Sequence, residues 1–170
     1  MAELTPQERL QPALLDRLTD DEPEQRSEAR EQRFLTKPRL RQAVLRDLAW
    51  LLNTTRLAAS EDLAAYPQAE TSVINFGMPA FSGETASSLD ITELEKAIRD
   101  AILRFEPRIL PATLRVEAQA EGRALDWHNV VSIRIFGQLW AQPVPLELLL
   151  RTEVDLETGQ VQVAELGAGA

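Results

Sequence analysis

Glu106 and Arg108 are the residues of this sequence best placed to do chemistry, because they flank Pro107 at the point where a helical pattern ends. In an extended stretch, side chains two residues apart point the same way, so the carboxylate and the guanidinium are expected to meet. A glycoside hydrolase needs two carboxyl groups about 5–9 Å apart, one of them a proton donor. A neighbouring arginine lowers the pKa of a glutamate, which is the wrong direction for that donor. We therefore interpret the pair as a buried or half-buried ion pair that fixes the turn from helix to strand.

Other catalytic and metal-binding chemistries lack the residues that they need. The chain has one histidine, His128, and no cysteine, whereas metal sites need clustered histidine, cysteine or carboxylate ligands. A Ser-His-Asp triad would depend on that same histidine, and no Gly-x-Ser-x-Gly turn presents a nucleophile. The 7 glycines are scattered singly, so the sequence has no phosphate-binding loop. We expect no catalytic residue, no metal, no cofactor and no small-molecule substrate.

The charge balance and the composition exclude several kinds of partner. The chain has 27 acidic and 18 basic residues, a net charge of -9, which phosphate backbones and anionic lipids repel. The longest uninterrupted apolar stretch, residues 48–52, is far too short to span a membrane. The first residues have neither the basic start nor the apolar core of a secretory signal. We therefore expect a cytoplasmic protein that binds no nucleic acid and inserts into no membrane.

Apolar residues at helical spacing predict the helices that must position the glutamate and the arginine. A short apolar stripe over residues 10–18 follows a capping box at residues 5–8. Longer stripes predict a helix over residues 38–53 and another that begins after a capping arrangement at Asp90 and ends before Pro107. A further short helix is expected near residues 60–65.

Beyond Pro111 the period of the apolar residues changes from helical to alternating. Four alternating runs separated by short turns predict strands near residues 114–117, 131–136, 148–154 and 160–163. Such runs indicate an antiparallel meander, in which the run from Val130 to Phe136 is interpreted as a central strand. Helices followed by strands indicate an α+β fold, with N-terminal helices packed on a small antiparallel β-meander sheet.

The chain divides into three parts on these patterns. Residues 1–36 are interpreted as an amphipathic N-terminal arm with an acidic tether, residues 37–166 as one domain, and residues 167–170 as a flexible C-terminal tail. The arm carries its apolar stripe at Leu14, Leu15 and Leu18. Two interpretations stay open for these leucines, which are docking on a partner and packing on the chain's own domain.

Three segments, taken in chain order, resemble a known family of assembly proteins. They are residues 45–56, residues 72–79, and the run Phe105-Glu106-Pro107-Arg108-Ile109. With the meander that follows, they resemble the phage-tail baseplate wedge proteins once labelled lysozyme-like, and in particular the TssE branch of type VI secretion systems. Residues 14–18, Leu-Leu-Asp-Arg-Leu, are similar to the short N-terminal motif of that branch. The sequence departs from the pattern at Phe76, where many relatives carry Tyr, and at Thr55, an extra residue in a Leu-Asn-Thr-Arg motif.

What the resemblance implies is a non-enzymatic part of a sixfold baseplate, with residues 37–166 as the wedge domain. Such a subunit would sit beside the wedge subunits TssF and TssG and near TssK. It would also pair strands with contractile sheath subunits, so that the first sheath ring assembles on it. The Glu-Pro-Arg signature of the family falls on Glu106, Pro107 and Arg108. The alternatives are a peptidoglycan-cleaving enzyme, which the old family label suggests, and a phage or phage-derived tail baseplate protein.

The implied strand pairing directs attention to the C-terminal pair of strands. This pair, residues 147–155 and 160–166, is polar on one face and suits an exposed sheet edge better than the run from Val130 to Phe136. The candidate partner-binding residues of this pair are Gln160, Val161, Gln162 and Val163. We expect a proline at Gln162 to block strand addition and leave the domain folded. By a second hypothesis, Leu14, Leu15 and Leu18 dock on a wedge partner.

Overall fold

The computed structural model describes residues 13–19, 24, 35–80, 90–119, 130–141 and 144–166. The helices in these ranges are α1 (Leu14–Leu18), α2 (Lys37–Leu52), α3 (Pro67–Glu70) and α4 (Ile91–Phe105). The strands are β1 (Arg115–Gln119), β2 (Val130–Leu139), β3 (Leu146–Asp155) and β4 (Val161–Glu165). The predicted α+β class is confirmed, since helices precede one antiparallel sheet with the strand order β1-β2-β3-β4. The predicted capping box at residues 5–8, His128 and the predicted tail at residues 167–170 lie outside the described residues.

Helix α2 lies within one residue of its predicted bounds at both ends. Its start is fixed by Thr36, whose side-chain oxygen accepts the backbone N–H of Arg39, and by Pro38 in the first turn. The apolar stripe that predicted the helix forms its buried face, which consists of Leu40, Ala43, Val44, Leu48, Leu51 and Leu52. None of the described helices is long and apolar enough to cross a membrane.

Helix α4 also begins where the sequence predicts it. The side chain of Asp90 accepts the backbone N–H groups of Thr92 and Glu93, which caps the first turn. Its buried stripe consists of Leu94, Ile98, Ala101 and Ile102. Helix α4 packs beside β1, α2 packs beside β4, and the two helices contact each other, so both deliver their apolar stripes to one core.

The middle strands of the sheet provide the other half of this core. Strand β2 pairs with β1 on one side and β3 on the other, so the prediction of a central strand is confirmed. Alternate residues of β2 and β3 face inward and are fully buried, as Ile133, Ile135 and Leu150 illustrate. The buried polar residue Thr152 donates its hydroxyl to the backbone oxygen of Ile133 at 3.2 Å, which satisfies the group without water.

The helix expected near residues 60–65 is absent from the structure. A 3₁₀ turn covers Leu57–Ala59 instead, and α3 begins only at Pro67. Two local effects explain the difference. The side chain of Asp62 accepts the N–H of Ala64, a turn that competes with helical hydrogen bonding. Tyr66 precedes a proline, and a residue in that position avoids the helical region.

The connection between α2 and α4 is held by two short backbone segments that pair with each other. The N–H of Met78 donates to the oxygen of Thr54 at 2.7 Å, and the N–H of Arg56 donates to the oxygen of Met78 at 2.9 Å. Gly77 makes this approach possible because its φ is +122° and a Cβ there would lie 2.3 Å from the oxygen of Thr54. The buried Asn75 fastens the same loop by accepting the N–H of Ala58 and donating to the oxygen of Glu70.

We predict that Gly77→Ala lowers the free energy of unfolding by about 2 kcal/mol or more, because a Cβ meets backbone that cannot move aside. Gly137→Ala is the matched control, since its Cβ would first meet a side-chain methyl of Ile109 at 3.2 Å. We expect that control to change stability by less than about 1 kcal/mol. Urea unfolding measures both values, and equal losses in the two variants would contradict the prediction.

Candidate functional site: an ion-pair cluster beside an aromatic cleft

Glu106 and Arg108 form the ion pair that their spacing predicts. Glu106 follows the last residue of α4 and its residue surface is only 4% exposed. Arg108 donates from Nε to Oε1 of Glu106 at 2.7 Å and from Nη2 to Oε2. The backbone N–H of Arg108 donates to the same Oε1 at 3.1 Å. Three donors thus hold one buried carboxylate, which fixes the chain as it leaves the helix.

Asp47 of α2 is a third member of the cluster, which sequence reasoning did not find. Nη2 of Arg108 also donates to Oδ2 of Asp47, so one guanidinium bridges the end of α4 and the middle of α2. Burial lowers the pKa of Arg108, but hydrogen bonds and charges from Glu106 and Asp47 outweigh burial and raise it above its ordinary value. The three side chains act as a clamp between the two long helices, and we call them the Arg108 clamp.

The backbone of the same segment joins the sheet. The oxygen of Arg108 accepts the N–H of Trp140 at 2.7 Å, and the N–H of Leu110 donates to the oxygen of Gln138 at 2.8 Å. Between them the fully buried Ile109 pairs with Leu139 at the end of β2. The segment from Glu106 to Leu110 therefore connects α4, α2 and β2 at one point.

A chain of charges runs from the Arg108 clamp to α1. Arg46 donates to Oδ1 of Asp47 at 2.9 Å and to Oδ1 of Asp16 at 2.7 Å, while its guanidinium lies 5.3 Å from the centroid of the Trp50 ring. Asp16 is the central residue of α1, so a salt bridge attaches this short helix to α2.

The leucines of α1 face away from this attachment. The exposed fractions are 70% for Leu14, 42% for Leu15 and 74% for Leu18, and no residue of α1 is buried. Among the described residues, the arm is therefore held by charge while its apolar stripe remains open to solvent. This geometry favours docking on a partner over packing on the chain's own domain.

An open cleft of about 500 Å³ lies between α1 and the Arg108 clamp. Its lining combines apolar, aromatic and charged side chains: Ala13, Asp47, Trp50, Leu51, Phe76, Phe105, Glu106, Pro107 and Arg108. Phe76 and Phe105 contact each other edge to face with ring centroids 5.2 Å apart, and Trp50 is 51% exposed. Aromatic side chains and arginine are enriched at protein–protein interfaces, so this composition suits a protein partner.

The geometry of the carboxylates disfavours glycoside hydrolysis. Both oxygens of Glu106 accept hydrogen bonds from Arg108, and Asp47 receives Arg46 on one oxygen and Arg108 on the other. All four oxygens of these two carboxyl groups thus accept hydrogen bonds from arginine side chains, which is typical of a structural ion pair rather than of a free general acid or base. In the described part of the chain, no cluster of three or more His, Asp or Glu residues could hold a metal ion.

The second set of predicted site residues lies along β4, at an edge of the described sheet. The N–H of Asp155 donates to the oxygen of Gln160, and the N–H of Leu166 donates to the oxygen of Leu149. Because backbone direction alternates along a strand, Gln160 and Gln162 face β3, whereas Val161 and Val163 present their backbone groups outward. A proline at Gln162 would therefore remove a hydrogen bond inside the sheet, which makes Val163 the better position for blocking strand addition. No hydrogen bond within the described ranges joins β4 to the Arg108 clamp.

Comparison with known families gives the class of the protein. The family model described as Baseplate wedge protein gp25 matches residues 38–144, a span that includes α2, the Arg108 clamp and β2. The match covers more than half of the chain, so the chain belongs to this family of structural baseplate proteins. The resemblance drawn from the sequence is thereby confirmed at the level of the family to which the TssE branch belongs. The chain matches no curated protein and no solved structure.

We predict that Arg108→Ala lowers the free energy of unfolding by about 3 kcal/mol, because it leaves the Glu106 carboxylate buried without a positively charged partner. Arg108→Lys is expected to lose less, since it keeps the charge but not the two-pronged geometry. Arg39→Ala, on the exposed side of α2, is the control and should stay within about 0.5 kcal/mol of the parent. An Arg108→Ala variant as stable as the control in chemical denaturation would show that the clamp does not hold the fold.

Proposed function

We propose that this chain is a non-enzymatic structural subunit of a type VI secretion baseplate wedge. In this role it links the wedge subunits to the first ring of the contractile sheath, and it acts on the cytoplasmic side of the machine. Its proposed partners are TssF and TssG, with TssK nearby, and the sheath subunits, which pair with it through strands. The proposal goes beyond family membership by assigning each kind of partner to a different part of the molecule.

The observation that carries the proposal is the arrangement of α1 on a chain of the baseplate wedge family. Residues 14–18 match the short motif expected of the secretion branch, and their three leucines are exposed while Asp16 is bound to Arg46. A subunit that used these leucines for its own core would bury them. Their exposure beside an anchoring ion pair supports a role in contacting another protein.

The wedge-facing surface is proposed to combine the α1 leucines with the aromatic cleft. The two features adjoin each other, since Ala13, the residue before α1, lines the cleft together with Trp50 of α2. Burying exposed apolar surface provides most of the affinity of such interfaces, and aromatic anchors contribute the largest single terms. The clamp would then keep α2 and α4 fixed while a partner occupies the aromatic cleft.

The sheath-facing surface is proposed to be the outer edge of β4. Backbone donors and acceptors on a sheet edge can pair with a strand from another chain, which adds that strand to the sheet. Within the described residues β4 pairs only with β3, and Val163 directs its backbone groups outward. The proposed accepting strand thus belongs to the C-terminal pair that the sequence suggests.

Two alternatives are weaker on the observations available. A phage or phage-derived tail baseplate protein would have the same fold and the same physics, but the motif at residues 14–18 favours the secretion system. A peptidoglycan-cleaving enzyme would need a free acid in a sugar cleft, whereas Arg108 occupies both oxygens of Glu106.

Co-expression of the full chain with TssF and TssG, followed by affinity capture on this chain and size-exclusion chromatography, tests the proposal. We expect a complex of defined stoichiometry, because exposed leucines and aromatic residues need a partner surface to cover them. Recovery of this chain alone, with folded TssF and TssG in the same lysate, would contradict the assignment to a wedge.

Replacing Leu14, Leu15 and Leu18 together by serine tests the arm. We predict loss of the complex with TssF and TssG, while the melting temperature of the isolated chain changes by no more than about 2 °C because these side chains are already exposed. Leu103→Ser is the matched control, since this leucine is 37% exposed on α4 and does not line the aromatic cleft. A large drop in melting temperature for the triple variant would assign the leucines to the chain's own core instead.

A further inference from the structure

The outer edge of β4 offers three residues for pairing. The backbone hydrogen bonds from Asp155 to Gln160 and from Leu166 to Leu149 show which β4 residues direct their N–H and C=O groups toward β3. Because this direction alternates along a strand, the backbone groups of Val161, Val163 and Glu165 point away from β3. An unprotected edge of this kind would also attract unwanted strands. A strand from another chain can pair only with those of the three residues whose outward N–H and C=O groups have no partner within this chain.

Asn53, the residue that follows α2, already occupies the first of them. Its Oδ1 accepts the N–H of Val161 at 2.9 Å, and its Nδ2 donates to the oxygen of Val161 at 2.8 Å. These are the two hydrogen bonds that a residue of a neighbouring strand would make. The side chain is held in place because Nδ2 also donates to the oxygen of Ala49 in the last turn of α2.

Arg41, near the start of α2, binds beside the other end of β4. Its Nη2 donates to the backbone oxygen of Glu147 at 2.8 Å, and its Nη1 donates to Oε1 of Glu165 at 2.7 Å. The β3 residues whose backbone groups bond to β4 alternate along the strand, and Glu147 falls on the same alternation. The backbone oxygen of Glu147 therefore lies on the β4 side of β3, just past the last residue of β3 that pairs with β4. Side chains of α2 and of the residue after it therefore bind at both ends of β4, to the Val161 backbone through Asn53 and to the Glu165 carboxylate through Arg41.

Beyond the Asn53 contact, the outward backbone groups of Val163 and Glu165 remain open. No described residue bonds to their outward N–H or C=O groups. We propose that Asn53 acts as a register stop, which excludes Val161 and confines strand addition at β4 to Val163 and Glu165. The accepted partner is one extended strand of a sheath subunit, and this part of the inference rests on the proposed function. With only two residues to pair, the place at which a strand docks along β4 is confined, which would restrict the position of the first sheath ring.

Amide hydrogen exchange on the full chain, in the absence of any partner, tests the register stop at Asn53. In the parent protein we expect the Val161 amide to exchange at least about fivefold more slowly than the amides of Val163 and Glu165, since one hydrogen bond separates them. Asn53→Ala should remove that difference. Asn53→Asp should keep it because the acceptor oxygen remains, and Gln42→Ala on the exposed side of α2 should change nothing. Equal exchange of Val161 and Val163 in the parent protein would overturn the register stop.

Adding the soluble sheath subunit to the same samples tests the partner. In the parent protein the sheath strand should protect the amides of Val163 and Glu165, and Val163→Pro should abolish that protection while leaving β3–β4 pairing intact. Failure of the sheath subunit to protect either amide, with the Val161 difference still present, would contradict the sheath-facing proposal and the partner named here. A concentration-dependent dimer that protects the same amides would instead name a second copy of this chain as the occupant.

Discussion

The fold depends most on one guanidinium group. Arg108 stands between the carboxylate of Glu106 and that of Asp47, and its backbone oxygen binds the N–H of Trp140. Burying charge is costly, and the charges of Glu106 and Asp47 offset that cost for Arg108, whose Nη1 is buried and has no hydrogen-bond partner among the described residues. Here one side chain holds both carboxylates at once. Helix α4, helix α2 and strand β2 therefore have fixed positions relative to one another. Glu106 has a structural role here, as part of the joint between these elements.

Both proposed contact surfaces are positioned by α2, the helix that this joint fixes. On one side α2 presents Arg46, which anchors Asp16 of the arm, and Trp50, which lines the aromatic cleft. On the other side, Arg41 binds the Glu165 side chain, and Asn53, the residue after the helix, binds the backbone of Val161 at the edge of β4. A side chain of α4 likewise binds the backbone at the opposite edge of the sheet, since the Glu95 carboxylate accepts the N–H of Ala118 in β1. Side chains of the helices thus control which parts of the sheet edges another chain can reach.

The sequence predicted those features that depend on local rules. The bounds of α2 and α4 follow from caps and apolar stripes, and the meander follows from alternation, because each signal is contained within about ten residues. The pair of Glu106 and Arg108 was predictable for the same reason, as its members are two residues apart. The bond from Arg108 to Asp47 spans 61 residues and the bond from Asn53 to Val161 spans 108, and no pattern in one sequence announces such contacts. The wrong expectation of a helix at residues 60–65 came from composition, which did not weigh the turn that Asp62 makes.

We propose that this chain joins a baseplate wedge to a contractile sheath through two separate surfaces. Electron cryo-microscopy of a reconstituted wedge that carries its first sheath ring can show both surfaces at once. We expect density of the wedge subunits over α1 and the aromatic cleft, and a sheath strand paired with Val163 and Glu165 beside an unmoved Asn53. A β4 edge that faces solvent in the assembled ring, or an arm that touches no wedge subunit, would contradict it.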